Sequence, residues 1–389
     1  MTPPVRLAEA DLAEDRFSRF RLIHWWDQER IRRTKVLVAG AGALGNEILK
    51  NLALLGFERV VVVDCDYVEL SNLSRSVLFR ASDVGRAKAE AAAGAVRAIY
   101  PESKITGRAA NLLYDAGLGL FGWADVILGG LDNREARLWI NRAAWRMGRP
   151  WIDGAIEGLS GLARVFLPGR PPCYECTLGE IDWQILDRRM SCNLLTRDEM
   201  AGGKVPTTPT TASVIAGIQV QEALKLIHGL PVLAGKAFVF DGLGHTSYVV
   251  EYSENPDCMS HYTEETVVRL ARKSSELRLR DLHEQACREL EADATIEFSR
   301  DIVWKLSCPS CGAEEEVFRP VGTVTAEDAL CPTDGTLRAV TATHSYSGVE
   351  PYGERTLNAL GLPPWDLYTA RSGARQVGYL IDGDAEVFA

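Results

Sequence analysis

Residues Lys35–Asp66 read KVLVAGAGALGNEILKNLALLGFERVVVVDCD, and the order of apolar runs and glycines in this stretch decides the fold. Val36–Ala39 is a short apolar run of strand type, and Gly40, Gly42 and Gly45 follow it as GxGxxG. Leu44, Ile48, Leu52 and Leu55 recur at helical spacing until Gly56 stops the helix, and Val60–Val63 predicts a second strand. A bare GxGxxG is a weak signal. Lying between a strand and a helix, and followed by Asp64, it predicts a nucleotide-binding unit. The glycines let backbone approach phosphate, the helix N-terminus supplies N–H groups and partial positive charge, and Asp64 or Asp66 accepts from ribose hydroxyls. The alternative is a buried strand pair whose glycines serve close packing alone.

Outward from this unit the alternation continues. Residues 12–33 read as one or two amphipathic helices ahead of the first strand. A loop with Asn72 and Arg75 leads to a predicted helix over 82–100 that carries Lys88 in its first turns and ends at Pro101. Strands are expected at 104–108 and 125–132, a helix at 134–147 and a strand at 151–156. From Gly161 the pattern turns antiparallel, with a helix over 210–228 and strands at 237–241 and 247–251. The expected fold class is therefore α/β: a Rossmann-like, doubly wound, mainly parallel sheet with an antiparallel extension, plus a smaller C-terminal α+β region. The expected domains are an N-terminal helical segment at 1–33, a nucleotide-binding domain at 34–262 with a long polar segment at about 177–206, and a C-terminal accessory region at 263–389 with one helix near 275–292.

The 389 residues suffice for a full core, and the formal charge of -10 argues against nucleic-acid or membrane-surface partners, which select a basic face. No apolar run reaches the length of a spanning helix, and the N-terminus lacks a basic region followed by an apolar one. A soluble, cytoplasmic protein is expected. Nine cysteines, in CxxC and CxxH pairs among others, then suggest metal ligation more than disulfides.

Arg19, Asn72, Arg75, Lys88 and Asp132 punctuate loops near the predicted strand ends, with Asp64 and Asp66. A nicotinamide-dependent oxidoreductase has no use for so many cations and a second acidic loop facing its glycine turn. A nucleoside triphosphate does, because Arg and Lys neutralise phosphate and an aspartate holds magnesium. In order, RFSR ending in Arg19, GAGALG, VDCD, NLSR, GRAKA with Lys88 and LDNREAR with Asp132 resemble the ThiF/MoeB/ubiquitin-activating (E1-like) adenylyltransferase superfamily over roughly residues 12–262.

The resemblance implies that Asp64 and Lys88 bind ATP, that Arg75 contacts its phosphates with Asn72 nearby, and that Asp132 serves Mg2+ and catalysis. It implies further that Arg19 reaches the neighbouring subunit's site, hence a homodimer. Ser76 departs from the family's usual Gln. The implied reaction is attack of a protein's C-terminal carboxylate on the α-phosphorus of ATP; the carboxylate is already ionised, so no general base is required.

Cys173 and Cys176 form CxxC and Cys258 with His261 forms CxxH; two separated chelating pairs suit one tetrahedral Zn2+, the alternative being reduced thiols in packed turns. Cys192 lies in the crossover segment among Arg188, Arg189 and Arg197, which favour thiolate. In activators of ubiquitin-like proteins that segment carries the thioester cysteine, and a loop cysteine without acyl transfer is the alternative. Cys65 is expected to be packed. Cys308, Cys311 and Cys331 present a zinc-ribbon pattern with Asp334 where a fourth cysteine is expected; Asp334, His344 and Cys287 stand as fourth ligands, against a ribbon that has lost its metal. The reading is thus an activating enzyme for a ubiquitin-like protein with a conjugating-enzyme partner. The alternative is a sulfur-carrier adenylyltransferase of molybdopterin or thiamine synthesis, and a silent scaffold of this fold is a third.

Overall fold

The computed structural model describes residues 14–190 and 206–387. Its larger sheet has eight strands in the order β3-β2-β1-β4-β5-β6-β7-β8. These are β1 (Lys35–Ala39), β2 (Arg59–Asp64), β3 (Thr106–Ala109), β4 (Val126–Gly129), β5 (Trp151–Glu157), β6 (Ser160–Phe166), β7 (Lys236–Asp241) and β8 (Thr246–Glu251). Pairing is parallel from β3 to β5 and antiparallel from β5 to β8.

The central strands are apolar throughout because both of their faces are buried. Val36, Val38, Val60 and Val62 pack on one side with α2 (Ala43–Leu55), α3 (Lys88–Ile99) and α7 (Pro209–Ile227). Leu37, Ala39, Val61 and Val63 pack on the other with α4 (Leu118–Trp123), α5 (Arg134–Arg146) and α6 (Glu180–Met190). The expected doubly wound sheet with an antiparallel extension is present.

Local differences have local causes. The helix expected from residue 82 starts at Lys88, because Ala81–Asp83 form a 3-10 turn and Gly85 takes a left-handed φ of +88°. Among the described residues before β1 there are a 3-10 turn at Phe20–Leu22 and the six-residue α1 (Gln28–Arg33); the aromatic residues Phe17, Phe20 and Trp26 pack there against the first core.

The smaller sheet comprises β9 (Val267–Leu270), β10 (Thr295–Ser307), β11 (Glu314–Pro320), β12 (Ala339–Tyr346), β13 (Leu367–Ser372) and β14 (Arg375–Ile381). Its order is β11-β10-β13-β14-β9, with β12 also on β10, and α8 (Leu279–Leu290) packs against it. It is joined tightly to the first sheet's helices. Trp365, Leu367 and Leu380 enter the core of α4 and α5, and Asp366 Oδ1 accepts from the Leu118 N–H at 2.9 Å. Half-buried Arg300 donates to the carbonyls of Leu113 (2.7 Å) and Ala116 (3.0 Å) and lies over the Trp139 ring.

Candidate active site and metal centre

The carboxyl ends of β1, β2 and β4 meet where the strand order reverses, the place at which open α/β sheets bind ligands. There the Gly40 N–H donates to Val63 O and the Gly130 N–H to Ala39 O, both at 2.8 Å. Gly40 has φ +93°, and a Cβ on it would lie 2.7 Å from Gly130 O. A Cβ on Gly45 would lie 2.0 Å from Gly40 O. Both positions are closed to any side chain. Gly42, the N-cap of α2, is different: a Cβ there would meet nothing within 4 Å, and no side chain caps the helix. The start of α2 thus has free space beside Gly42 and no side-chain cap on its first-turn N–H groups, the arrangement of an anion cradle.

Acidic and basic groups ring this cradle. Asp64 Oδ2 accepts from the Ala41 N–H at 2.7 Å and Oδ1 from the Asp66 N–H at 2.8 Å, so one carboxylate braces the glycine turn. Burial pushes the Asp64 carboxyl up, against the Ala41 hydrogen bond and the charge of Lys88. Lys88 is the first residue of α3, and its largely buried ammonium donates to Asp66 Oδ2 at 2.7 Å. Desolvation works to lower its pKa, but the Asp66 hydrogen bond and the charges of Asp64, Asp66 and Asp132 together raise it. Asp132 is exposed on the loop between β4 and α5, with Asn133 Nδ2 at 3.4 Å from its Oδ1. Gly40, Gly42, Gly45, Asp64, Asp66, Lys88 and Asp132 thus share one neighbourhood.

The remaining expected residues stand otherwise. Asn72 is buried, and its Oδ1 accepts from the Glu69 N–H at 2.9 Å, so it shapes its own loop. Arg75 is half-buried and donates to Ser71 O at 2.9 Å. Arg19 is exposed and is not brought to the turn. Its neighbour Phe17 packs on Gly56, at the opposite end of α2. Cys65 is exposed, not packed as expected, since β2 ends one residue earlier; desolvation of its thiol and the carboxylates of Asp66 and Asp64 push it up to about 11. Cys192 lies outside the described residues.

Two supporting groups were not found from sequence. Asn46 is fully buried; its Nδ2 donates to Ala41 O (2.7 Å) and Gly42 O (3.1 Å) and its Oδ1 accepts from the Leu78 N–H (2.9 Å). It ties the glycine turn to the loop that carries Arg75. Asp153, also fully buried, accepts from Arg137 Nε at 3.1 Å and from Arg164 Nη2 at 2.5 Å. Arg137 Nη2 in turn holds Leu131 O at 2.5 Å, the residue before Asp132. The available signal for Asn46 was a polar residue amid the apolar face of α2.

Elsewhere, Cys173, Cys176, Cys258 and His261 converge, their ligand atoms all within 4.8 Å of one another. Sulfur–sulfur separations are 3.8 Å for Cys173–Cys176 and 3.5 Å for Cys173–Cys258, and His261 Nε2 is 3.3 Å from Cys176 Sγ. Tetrahedral zinc with Zn–S bonds of about 2.3 Å sets its sulfurs roughly 3.8 Å apart, so the donor set fits Zn2+. Asn141 Nδ2 donates to Cys173 Sγ at 3.4 Å, Trp145 stacks on His261, and Ser260 donates to Glu175, which also pairs with Arg142. These outer groups orient the ligands.

A model of the ThiF family matches residues 15–260. The Nedd8-activating enzyme E1 catalytic subunit of Drosophila melanogaster is 42% identical over 159 residues, 38% of this chain and 35% of that protein. The SUMO-activating enzyme subunit uba-2 of Caenorhabditis elegans is 39% identical over 149 residues, 38% of this chain and 26% of that protein. The chain spans only roughly a quarter to a third of the length of these two relatives. It covers 83% of the sulfur carrier protein adenylyltransferase of Thermus thermophilus, 31% identical over 243 residues that make up 59% of this chain. Among solved structures, E. coli MccB with ATP has a TM-score of 0.53 at 22% identity, covering 64% of this chain and 75% of that one. The microcin C7 biosynthetic enzyme MccB with N-formylated MccA has a TM-score of 0.53 at 20% identity, covering 66% and 77%. These two likenesses establish the fold.

Proposed function

The chain belongs to the ThiF family, and on that premise we propose that it is an ATP-dependent adenylyltransferase acting on the C-terminal carboxylate of a ubiquitin-like or sulfur-carrier protein. The observation that carries this reading is the open space at Gly42 at the start of α2, together with Lys88 within the electrostatic reach of Asp64, Asp66 and Asp132. Relatives named as activators of NEDD8 and SUMO and as a sulfur-carrier adenylyltransferase support it.

In this reading the α2 N-terminus and Lys88 receive the phosphates, and Asp64 takes the ribose through the lone pairs its two backbone bonds leave free. Asp132, an exposed hard-oxygen donor, would hold Mg2+, which supplies charge neutralisation between the phosphates. A carboxylate oxygen of the carrier attacks the α-phosphorus, the bond to the β-phosphate bridging oxygen breaks, and pyrophosphate leaves. Bringing one anion against another is the difficulty. In this reading Arg75, from the loop that Asn46 ties to the turn, and Lys88 offset that repulsion.

The finer reading is a ubiquitin-like activator. The Cys192 thiolate attacks the acyl carbon, AMP leaves, and the thioester passes to a conjugating enzyme. Residues 34–262 are then the adenylation domain with its crossover at about 177–206, and 263–389 are the docking region for carrier or conjugating enzyme. A homodimer brings Arg19 to the neighbouring site, and Cys173, Cys176, Cys258 and His261 hold structural Zn2+. The sulfur-carrier branch is the second reading, favoured by the 83% coverage of the Thermus protein. Non-reducing gels and product mass after incubation with ATP, a candidate carrier and a sulfide donor separate the two. A reducible adduct lost in Cys192→Ala supports the first; a thiocarboxylate formed as sulfide displaces AMP from the adenylate, without an adduct, supports the second.

A further inference from the structure

The C-terminal sheet contains two loops of one design. Residues 308–312 read CPSCG between β10 and β11, and residues 331–335 read CPTDG before β12. In the first, the Cys308 N–H donates to Ala313 O at 2.8 Å and the Gly312 N–H to Cys308 O at 3.1 Å. In the second, the Cys331 N–H donates to Thr336 O at 2.8 Å and the Gly335 N–H to Cys331 O at 2.9 Å. Each ends on a left-handed glycine, Gly312 at φ +74° and Gly335 at φ +71°. In this register Asp334 takes the place that Cys311 holds in the first loop.

The two loops face each other. Cys311 Sγ and Cys331 Sγ are 3.6 Å apart, Cys308 Sγ is 3.8 Å from both Asp334 oxygens, and all four ligand atoms lie within 4.8 Å of one another. Neither alternative fourth ligand belongs to this cluster. His344 is exposed on β12, and Cys287 lies in α8 with its sulfur 3.7 Å from His283 Nε2.

We propose that Cys308, Cys311, Cys331 and Asp334 bind a second Zn2+, independent of the adenylation reading. Three thiolates select a soft or borderline divalent cation, and one carboxylate oxygen completes a tetrahedron zinc accepts. The ion also has structural work there. Beside the loops the apolar cluster is small: Val303, Leu306, Val324 and Ala329 are buried, with Val317, Val321 and Val340 partly so, and a metal joining the two loops adds to that limited packing. The segment that joins the loops carries Gly322 onto the Tyr114 ring, and the Tyr114 hydroxyl donates to Glu135 Oε1 at 3.2 Å, so the metal-closed ribbon leans on the start of α5. Exchange of a thiolate for a carboxylate, with Cys311 and Asp334 exposed, makes this the faster-exchanging of the two metal sites.

The test is the zinc content of untagged, full-length protein, with release to a chromogenic chelator followed in time. Wild type is expected to hold two zinc ions and release them in two phases. Asp334→Asn, which keeps the shape but removes the charge, should speed the fast phase at least about tenfold, as loss of even an outer-shell partner does. Asp334→Cys should slow it. Chelation should also open protease sites within 308–338 ahead of the rest of the chain. A single zinc in wild type, lost in Cys258→Ser and unchanged in Asp334→Asn and Asp334→Cys, overturns the proposal. So does a second zinc whose release neither Asp334 variant alters.

Discussion

In the larger sheet the parallel strands β1, β2 and β4 end side by side, and the loops leaving them bring Asp64, Asp66, Lys88 and Asp132 around one open helix end. In the smaller sheet neighbouring strands are mostly antiparallel, and its ionisable side chains pair along the strands, as Lys305 with Glu314 and Arg371 with Glu297, or gather in the cysteine-rich loops. The difference follows from connectivity. Parallel strands must return by crossover, so their ends accumulate on one edge where a ligand reaches several loops at once. A small antiparallel ribbon has no such edge and little apolar content, and a metal is the cheaper way to close it.

This contrast breaks most visibly at Asp153, which holds Arg137 and Arg164 beneath the candidate site. Asp153→Ala should lower unfolding free energy by about 3–5 kcal/mol, because it strands Arg137 and Arg164. Urea unfolding followed on the first sheet's tryptophans checks it. Asp334→Asn in the ribbon should leave that transition in place. Gly45→Ala comes next, at the upper end of about 1–3 kcal/mol, since the added Cβ meets the rigid Gly40 carbonyl.

Gly42→Ala sharpens the comparison. With nothing within 4 Å of the new methyl group, stability should stay within about 0.5 kcal/mol. The methyl occupies the cradle, however, so ATP affinity by calorimetry should fall about tenfold or more, roughly 1.4 kcal/mol. The smallest effect expected is at Asp64. Its folded pKa is raised, so the native state holds the proton more tightly than the unfolded chain, and this group lowers stability as pH rises through the window just above the ordinary aspartate range. Asp64→Asn removes that term. The variant should gain on wild type as pH rises across the same window, measured by urea midpoints.

Much of the first region was readable because each device there is local. A buried parallel strand is a continuous apolar run, so Val36–Ala39 and Val60–Val63 stood out, and the glycine turn between them announced the site. The start of α3 was missed by several residues because Gly85 and the 3-10 turn before it look helical until their dihedrals are known. Asp153 and Arg137 were not legible, and Asn46 showed only as a polar residue among apolar ones: each acts across distant sequence, joining a turn to a loop or a strand to a helix. In the second region, the departure from a four-cysteine pattern was visible. The choice of Asp334 over His344 or Cys287 was not, since it depends on how β10 and β12 pair.

The measurement closest to the central claim is carrier-dependent ATP–pyrophosphate exchange by wild type, Gly42→Ala and Asp132→Ala. The account predicts exchange in wild type, loss in Asp132→Ala and reduction in Gly42→Ala, with unfolding midpoints of both variants unchanged. Absence of exchange with every ubiquitin-like and sulfur-carrier protein tried, together with tight NAD binding and none of ATP, would contradict it.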